Sequence, residues 1–273
     1  MSLKNDSIFY IETYNGYTFK MLSEIISSFN QRPTLQITEN NIKINFLDRE
    51  GIVCFNITLD RKNFKSYKCS KPLNISINIQ HFKKHMTNVK KKDTLTLYIN
   101  EAQKQLGFIV TQNKSERKES NFITYMEEAE NSISMNMFGD DDNYEHPKVL
   151  LNTDFQKLKK ICDINKQTIS IEMQKTGNTD YLSFQTNVDS MYGSITEFGD
   201  KDENSHLYKA EFQSHIFKSL IKLASITTQV RIYEPKVIGL PLQIESAAQG
   251  LGIVKVFVKD ELTIQMEKSS KSN

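Results

Sequence analysis

An α+β fold built from two similar halves is predicted by three observations: a fourfold repeat, strand alternation with one wet face, and charge sorted by element type. The repeated unit is a helix carrying Phe beside basic or polar neighbours, followed by an alternating strand. Its copies are Thr18-Phe19-Lys20 to Leu35-Gln36-Ile37, His81-Phe82-Lys83 to Leu95-Thr96-Leu97, Asp154-Phe155-Gln156-Lys157 to Ile169-Ser170-Ile171, and Ile216-Phe217-Lys218 to Val230-Arg231-Ile232. Paired phenylalanines lie 82 − 19 = 63 and 217 − 155 = 62 residues apart, against 155 − 82 = 73 across the middle. About ten extra residues therefore separate two like halves.

The helices are placed at 18–30, 79–92, 153–165 and 213–225 by apolar residues at three- and four-residue spacing. Phe19, Leu22, Ile25, Ile26 and Phe29 form one such row; Phe155, Leu158, Ile161 and Cys162 form another; Phe217, Leu220, Ile221 and Ala224 a third. The second helix has only Phe82, Met86 and Val89. Leu95, Leu97 and Ile99 alternate with Thr94, Thr96 and Tyr98, and Ile169, Ile171 and Met173 alternate with Ser170 and Glu172. Further strands are expected at 42–47, 52–59, 105–112, 120–126, 181–186, 191–197, 207–212, 240–246 and 252–259. One wet face means antiparallel sheets covered by helices on a single side, two helices to each half.

Segment 127–147 breaks the pattern with Glu127-Glu128-Ala129-Glu130, Gly139-Asp140-Asp141-Asp142-Asn143 and Pro147. It is expected to link an N-terminal domain, 1–126, to a C-terminal domain, 148–273, the latter ending in a short disordered tail. An apolar island, Ile133, Met135, Met137 and Phe138, lies within the acidic linker.

Charge follows the elements. The four helical segments hold 11 lysines and three acids, a formal +8, while the other 24 basic and 30 acidic residues sum to −6. Lysine ammonium groups suit a regular polyanion, and duplex DNA meets them through its phosphates without base readout. Arg32 and Arg231, the arginines near the repeats, provide poorly for bidentate guanine contacts.

No GxxxxGK[ST], HExxH, GxSxG or GxGxxG occurs in the chain, and no enzymatic activity is expected. His81 and His85 stand four apart with no third ligand nearby, and Asp140-Asp141-Asp142 with Glu145 and His146 reads as flexible linker. No metal and no cofactor are expected. Cys54, Cys69 and Cys162 form no CxxC and are read as reduced structural thiols. Met1–Tyr10 has no apolar core of signal-peptide length, and no run approaches 18 apolar residues. A soluble, intracellular protein with no membrane association is expected.

Three stretches carry a resemblance to a known family: Phe46-Leu47-Asp48 through Phe64-Lys65-Ser66-Tyr67-Lys68-Cys69 to Val89-Lys90-Lys91-Lys92-Asp93-Thr94-Leu95; the helix at 154–162; and Gly239-Leu240-Pro241-Leu242-Gln243-Ile244 with Gly250 to Lys259. In order and spacing these resemble proliferating cell nuclear antigen, the sliding DNA clamp. The similarity runs over about 8–260, and the chain looks like a divergent member, with a large DNA virus as one suggested source. The resemblance implies the DNA clamp fold and a homotrimeric ring that encircles duplex DNA and tethers polymerase and other replication or repair proteins through short peptide motifs, with a clamp loader as a further partner.

By position, the resemblance assigns Lys20, Lys83, Lys84, Lys157, Lys160, Lys218 and Lys222 to DNA. It assigns Leu47, Ile52, Leu240, Pro241 and Phe257, with Met137 and Phe138, to client peptides. Ring closure by edge strands points to 120–126, around Phe122 and Tyr125, and to 191–197, around Tyr192 and Ile195. The family's usual location is the nucleus; a viral member would work at a cytoplasmic replication site. The chain departs from the family at Val258-Lys259-Asp260, where Ala-Pro is usual, and in its near-neutral charge. Two other readings stay open: an open, monomeric or dimeric processivity factor holding DNA electrostatically, and an accessory subunit of a replication enzyme that binds no DNA.

Overall fold

In the computed structural model, residues 3–100, 104–113, 115, 117–127, 141–176, 179–187, 192–202 and 207–271 are described. The chain forms two units: Met1–Ile133 with Ala247–Val254, and Ser134–Ser246 with Lys255–Asn273.

The first unit runs α1 (Leu3–Asp6), β1 (Ser7–Thr13), α2 (Gly16–Phe29), β2 (Thr34–Ile37), β3 (Asn41–Leu47), β4 (Val53–Asp60), β5 (Ser66–Cys69), β6 (Leu73–Ile77), α3 (Ile79–Met86), β7 (Thr94–Asn100), β8 (Gln105–Thr111) and β9 (Lys118–Glu127). Its strands lie in the order β4-β3-β2-β6-β9-β8-β7-β1-β5, every neighbouring pair antiparallel. Strand β9 turns a corner. Residues 118–124 pair with β8, and only 125–127 pair with β6.

Apolar side chains of α2 and α3 fill the space over the strands. Phe19, Leu22, Ile25 and Ile26 are buried beside Ile79, Phe82 and Met86, and the Phe82 ring meets Phe108 edge-on at 5.5 Å. Each such side chain contributes about 1.5–3 kcal/mol by leaving water. The hairpin tip 247–254 joins this unit through polar contacts: the Thr18 hydroxyl donates to Gln249 Oε1 at 2.8 Å, and Asn15 Nδ2 donates to the Gln249 carbonyl at 3.1 Å.

The second unit comprises β10 (Lys148–Leu151), α4 (Asn152–Ile164), β11 (Thr168–Thr176), β12 (Thr179–Asn187), β13 (Gly193–Phe198), β14 (Leu207–Gln213), α5 (Ser214–Leu220), β15 (Gln229–Tyr233), β16 (Leu242–Ala247), β17 (Gly252–Val258) and α6 (Glu261–Lys271). A tight helical turn, Ile221–Ser225, extends α5. One sheet has the order β13-β12-β11-β14, and a second begins β10-β15-β16. Phe155, Leu158 and Ile161 of α4 and Ile216, Phe217 and Leu220 of α5 are buried.

The two units repeat one order of elements. A strand leads into the first helix (β1-α2, β10-α4), and after further strands another leads into the second (β6-α3, β14-α5). This is the α+β architecture of two similar halves expected from the repeat.

Four features differ from expectation. Helix α3 stops at Met86, so Lys90, Lys91 and Lys92 lie on the turns that follow it. The last turn of the fourth predicted helix is of the tight type. Strands β1, β5, β6 and β10 had not been foreseen; three of them are only four or five residues long. The end of the chain, expected to be a tail, is helix α6, held by Ile264 at 5% exposure. Among the described residues no helix is long and apolar enough to cross a membrane, and no three His, Cys, Asp or Glu side chains group as a metal site.

Candidate nucleic-acid and partner interfaces

Burying one face of each helix obliges the opposite face to carry its polar residues. On α4 that face holds Gln156, Lys157, Lys159 and Lys160, all exposed. On α5 it holds His215 and Lys218, with Lys222 half-exposed on the following turn. Helix α3 presents Lys84 exposed and Lys83 half-exposed, and Asn78 sets where it starts by accepting hydrogen bonds from the backbone N–H groups of Gln80 and His81. That capping satisfies two amides that a helix start leaves open.

Some of these ammonium groups already have partners. Lys157 pairs with Asp154 one turn back at 2.7 Å, and Lys218 pairs with Asp163 of α4 at 2.5 Å. The Lys218 hydrogen bond holds the Asp163 carboxyl below its ordinary value, and the same bond raises Lys218. Lys20 is partnered by backbone. Its Nζ donates to the carbonyls of Thr87, at 2.6 Å, and Val89, at 3.4 Å. These bonds satisfy carbonyls at and just beyond the end of α3, where a cation complements the helix dipole.

Residues expected to bind client peptides fall in both units. In the first, Leu47 is half-buried at the end of β3, opposite Cys54, and its carbonyl accepts from Asn30 Nδ2 at 3.3 Å. Ile52 is buried at 6% exposure, in a turn where Asp48 Oδ1 accepts from the Ile52 and Val53 N–H groups at 2.7 and 3.0 Å. In the second, Leu240 is half-buried, while Pro241 and Phe257 are buried. Ile52, Pro241 and Phe257 are thus packed within their own units, and Leu47 and Leu240 keep part of their surface open. Met137 and Phe138, with Ile133 and Met135, lie outside the described residues.

Sequence reasoning missed Tyr144, which ties two of these positions together. Its ring lies 6.3 Å from that of Phe257 and its hydroxyl donates to the Pro241 carbonyl at 3.1 Å. The only signal was an aromatic residue at the end of an acidic segment. Also missed was the turn before Leu240, where Val237 and Ile238 are 51% and 92% exposed. Two adjacent apolar residues between Pro235 and Gly239 were the available sign.

The two candidate edges differ: β9 lies between β6 and β8, whereas β13 ends its sheet. Strand β13 is terminal in its sheet, and residues 118–124 of β9 pair on one side only among the described residues. Phe122, Tyr192 and Ile195 are 62%, 58% and 51% exposed. Tyr125 is the exception. It is buried at 6%, pairs with Ile77 at the corner of the sheet, and burial raises its hydroxyl pKa. It belongs to the core.

Residues 8–133 match the family described as proliferating cell nuclear antigen, N-terminal domain. Over 79 residues the chain is 32% identical to a DNA polymerase sliding clamp of Thermococcus gammatolerans and 29% identical to one of Pyrococcus furiosus. These alignments span 29% of this chain and 32% of each relative, about a third of their length. Among solved structures, the proliferating cellular nuclear antigen of Entamoeba histolytica superposes with a TM-score of 0.76 at 15% identity, covering 93% of this chain and 99% of that one. The family match thus lies within the N-terminal part of the chain, at residues 8–133, and the solved structure shares its fold along nearly the whole length of the chain.

Proposed function

We propose that this protein is a DNA polymerase processivity factor: a homotrimeric clamp of two-domain subunits, 1–126 and 148–273 joined by 127–147, that encircles duplex DNA without sequence specificity and performs no chemistry. The observation that supports this reading is the exposed or half-exposed lysines that each unit carries on its own helices, α3 in the first and α4 and α5 with the following turn in the second, opposite buried phenylalanines of the same helices. Lys83, Lys84, Lys157, Lys160, Lys218 and Lys222 would meet phosphates as point charges, giving affinity that depends on salt and not on base sequence. Polymerase and other replication or repair proteins would dock by short peptides at Leu47, Leu240 and the linker residues Met137 and Phe138. A clamp loader would open the ring.

Retention on nicked circular DNA, lost once the circle is linearised, tests encirclement against simple electrostatic binding. Loss from both forms, or retention on both, overturns the ring. Replacing Lys83, Lys84, Lys157 and Lys160 by Ala should leave the fold intact and make the salt dependence of duplex binding shallower. An unchanged slope would place these lysines away from DNA.

A further inference from the structure

The chain's densest run of lysines was expected on a helix, and the structure places it elsewhere. Lys90, Lys91 and Lys92 follow α3 on a closed turn in which the Asp93 N–H donates to the Lys90 carbonyl at 3.1 Å. Asp93 is 4% exposed, and its carboxylate is occupied by backbone. Oδ2 accepts from the Lys90 N–H at 2.9 Å and Oδ1 from the Asn113 N–H at 3.2 Å. Bonds of this kind, between a carboxylate and backbone amides, are strong and directional. They pin the lysine turn to the start of the β8–β9 connection.

Between them lies a recess of about 320 Å³ lined by Lys90, Lys91, Lys92, Asp93, Gln112 and Asn113. The three lysines are exposed, so the recess carries three cations against one carboxylate that faces amides. It also adjoins the first turn of α2. Lys91 Nζ stands 5.8 Å from the centre of the Tyr17 ring, and Lys20 Nζ stands 5.9 Å from the same centre. A ring face holds cations by its quadrupole, so Tyr17 gathers two ammonium groups beside the recess. Gly16 allows the close approach: a Cβ there would stand 2.9 Å from the Asp93 carbonyl oxygen.

From this we infer a phosphate-binding site on the turn after α3, separate from the helix faces, which grips the sugar-phosphate backbone of duplex DNA. The inference rests on the duplex-binding reading above and adds a contact that reading does not use. Nucleic-acid phosphates are favoured because the recess continues the basic residues of α3. Within 83–92 the chain has five lysines and two histidine neighbours, His81 and His85, and no acid before Asp93. Gln112 and Asn113 add amide donors suited to phosphate oxygens.

The test is a salt titration of a fluorescent 30-base-pair duplex between about 50 and 200 mM salt, following anisotropy with wild type, Lys90→Gln/Lys91→Gln/Lys92→Gln and Lys83→Gln/Lys84→Gln. Gln keeps the length and polarity of these exposed side chains, and a thermal melt checks that folding is untouched. Losing three phosphate contacts should make the log–log slope shallower by about 2–3, and affinity near physiological salt should fall by roughly tenfold or more. The change should add to that of the α3 pair. A slope equal to wild type in the triple variant overturns the site and leaves the clamp reading standing. Absence of duplex binding by wild type at 50 mM salt overturns the duplex-binding reading itself, and this inference with it. A fourth arm adds inorganic phosphate at constant ionic strength. Competition in the millimolar range by phosphate alone, with no change of slope in the triple variant, would identify a free-phosphate site and also overturn the inference.

Discussion

Lys218 of α5 and Asp163 of α4 form an ion pair at 2.5 Å, with about half of each side chain still exposed. The ammonium assigned to DNA thus has an internal competitor. The Lys218 hydrogen bond holds the Asp163 carboxyl below its ordinary 3.8, so the pair persists at neutral pH and is lost as pH falls through that lowered value. Replacing Asp163 by Asn should free the ammonium for phosphate. Duplex binding at neutral pH should tighten several-fold at low salt, with a slope steeper by up to about one. The melting temperature should barely move, because exposed pairs contribute little to stability. Weaker duplex binding by the variant would show that Asp163 positions Lys218 productively.

The edge strands give an assembly prediction. Phe122 on the open stretch of β9 and Ile195 on terminal β13 are exposed apolar residues on strands with unpaired backbone. An exposed edge of this kind is a ready site for pairing with another chain. A contact between unlike patches closes into a ring if the rotation fits. Phe122→Asp and Ile195→Asp should each give a folded protein whose light-scattering mass is below that of three chains. Trimer mass retained by both would move the interface elsewhere. Tyr125 is the wrong residue for this test, since altering it damages the core.

The helices were legible because each spends its apolar residues on one face: Phe82, Phe155 and Phe217 are 4% exposed or less. Strands of four or five residues escaped because so few positions cannot establish alternation. Helix α6 escaped because Glu261–Lys271 is largely polar and keeps Leu262 and Met266 55% exposed. The fate of Lys20 could not be read at all. Its sequence neighbourhood matches the other helix lysines, and only the folded chain brings the Thr87 and Val89 carbonyls to its ammonium. The position of Lys90–Lys92 was hidden for a related reason. A run of lysines suits a helix by propensity, and the buried Asp93 that turns the chain looks in sequence like one more surface charge.

The thiols yield a chemical prediction. Burial pushes Cys54 and Cys162 up to about 12, and burial also raises half-exposed Cys69. The reactive species is the thiolate, so all three should resist alkylation by iodoacetamide at pH 7.5 in the native protein. Mass spectrometry should find all three modified after denaturation. If native protein labels anywhere, it should be at Cys69; labelling of Cys162 would contradict the packing of α4.

The last prediction concerns Glu172, on β11 in the second unit. It is 4% exposed, yet it receives Lys201 Nζ at 3.0 Å on Oε2 and Lys209 Nζ at 2.9 Å on Oε1. Lys209 lies directly across the ladder on β14, and Lys201 stands after β13, with its ammonium 5.7 Å from the centre of the Tyr181 ring. Burial alone would raise the carboxyl, but the hydrogen bonds and charges of the two lysines outweigh it and carry the group below its ordinary 4.5. A carboxyl lowered on folding contributes stability that is complete above its unfolded value and disappears as pH falls through its folded one. Glu172→Gln keeps the shape and removes the charge, and should cost about 1–3 kcal/mol at pH 7. The melting-temperature gap between wild type and variant should be widest at neutral pH and narrow below about pH 4.5. A gap independent of pH would mean that Glu172 stabilises by packing, and that the two ammonium groups are held by something else.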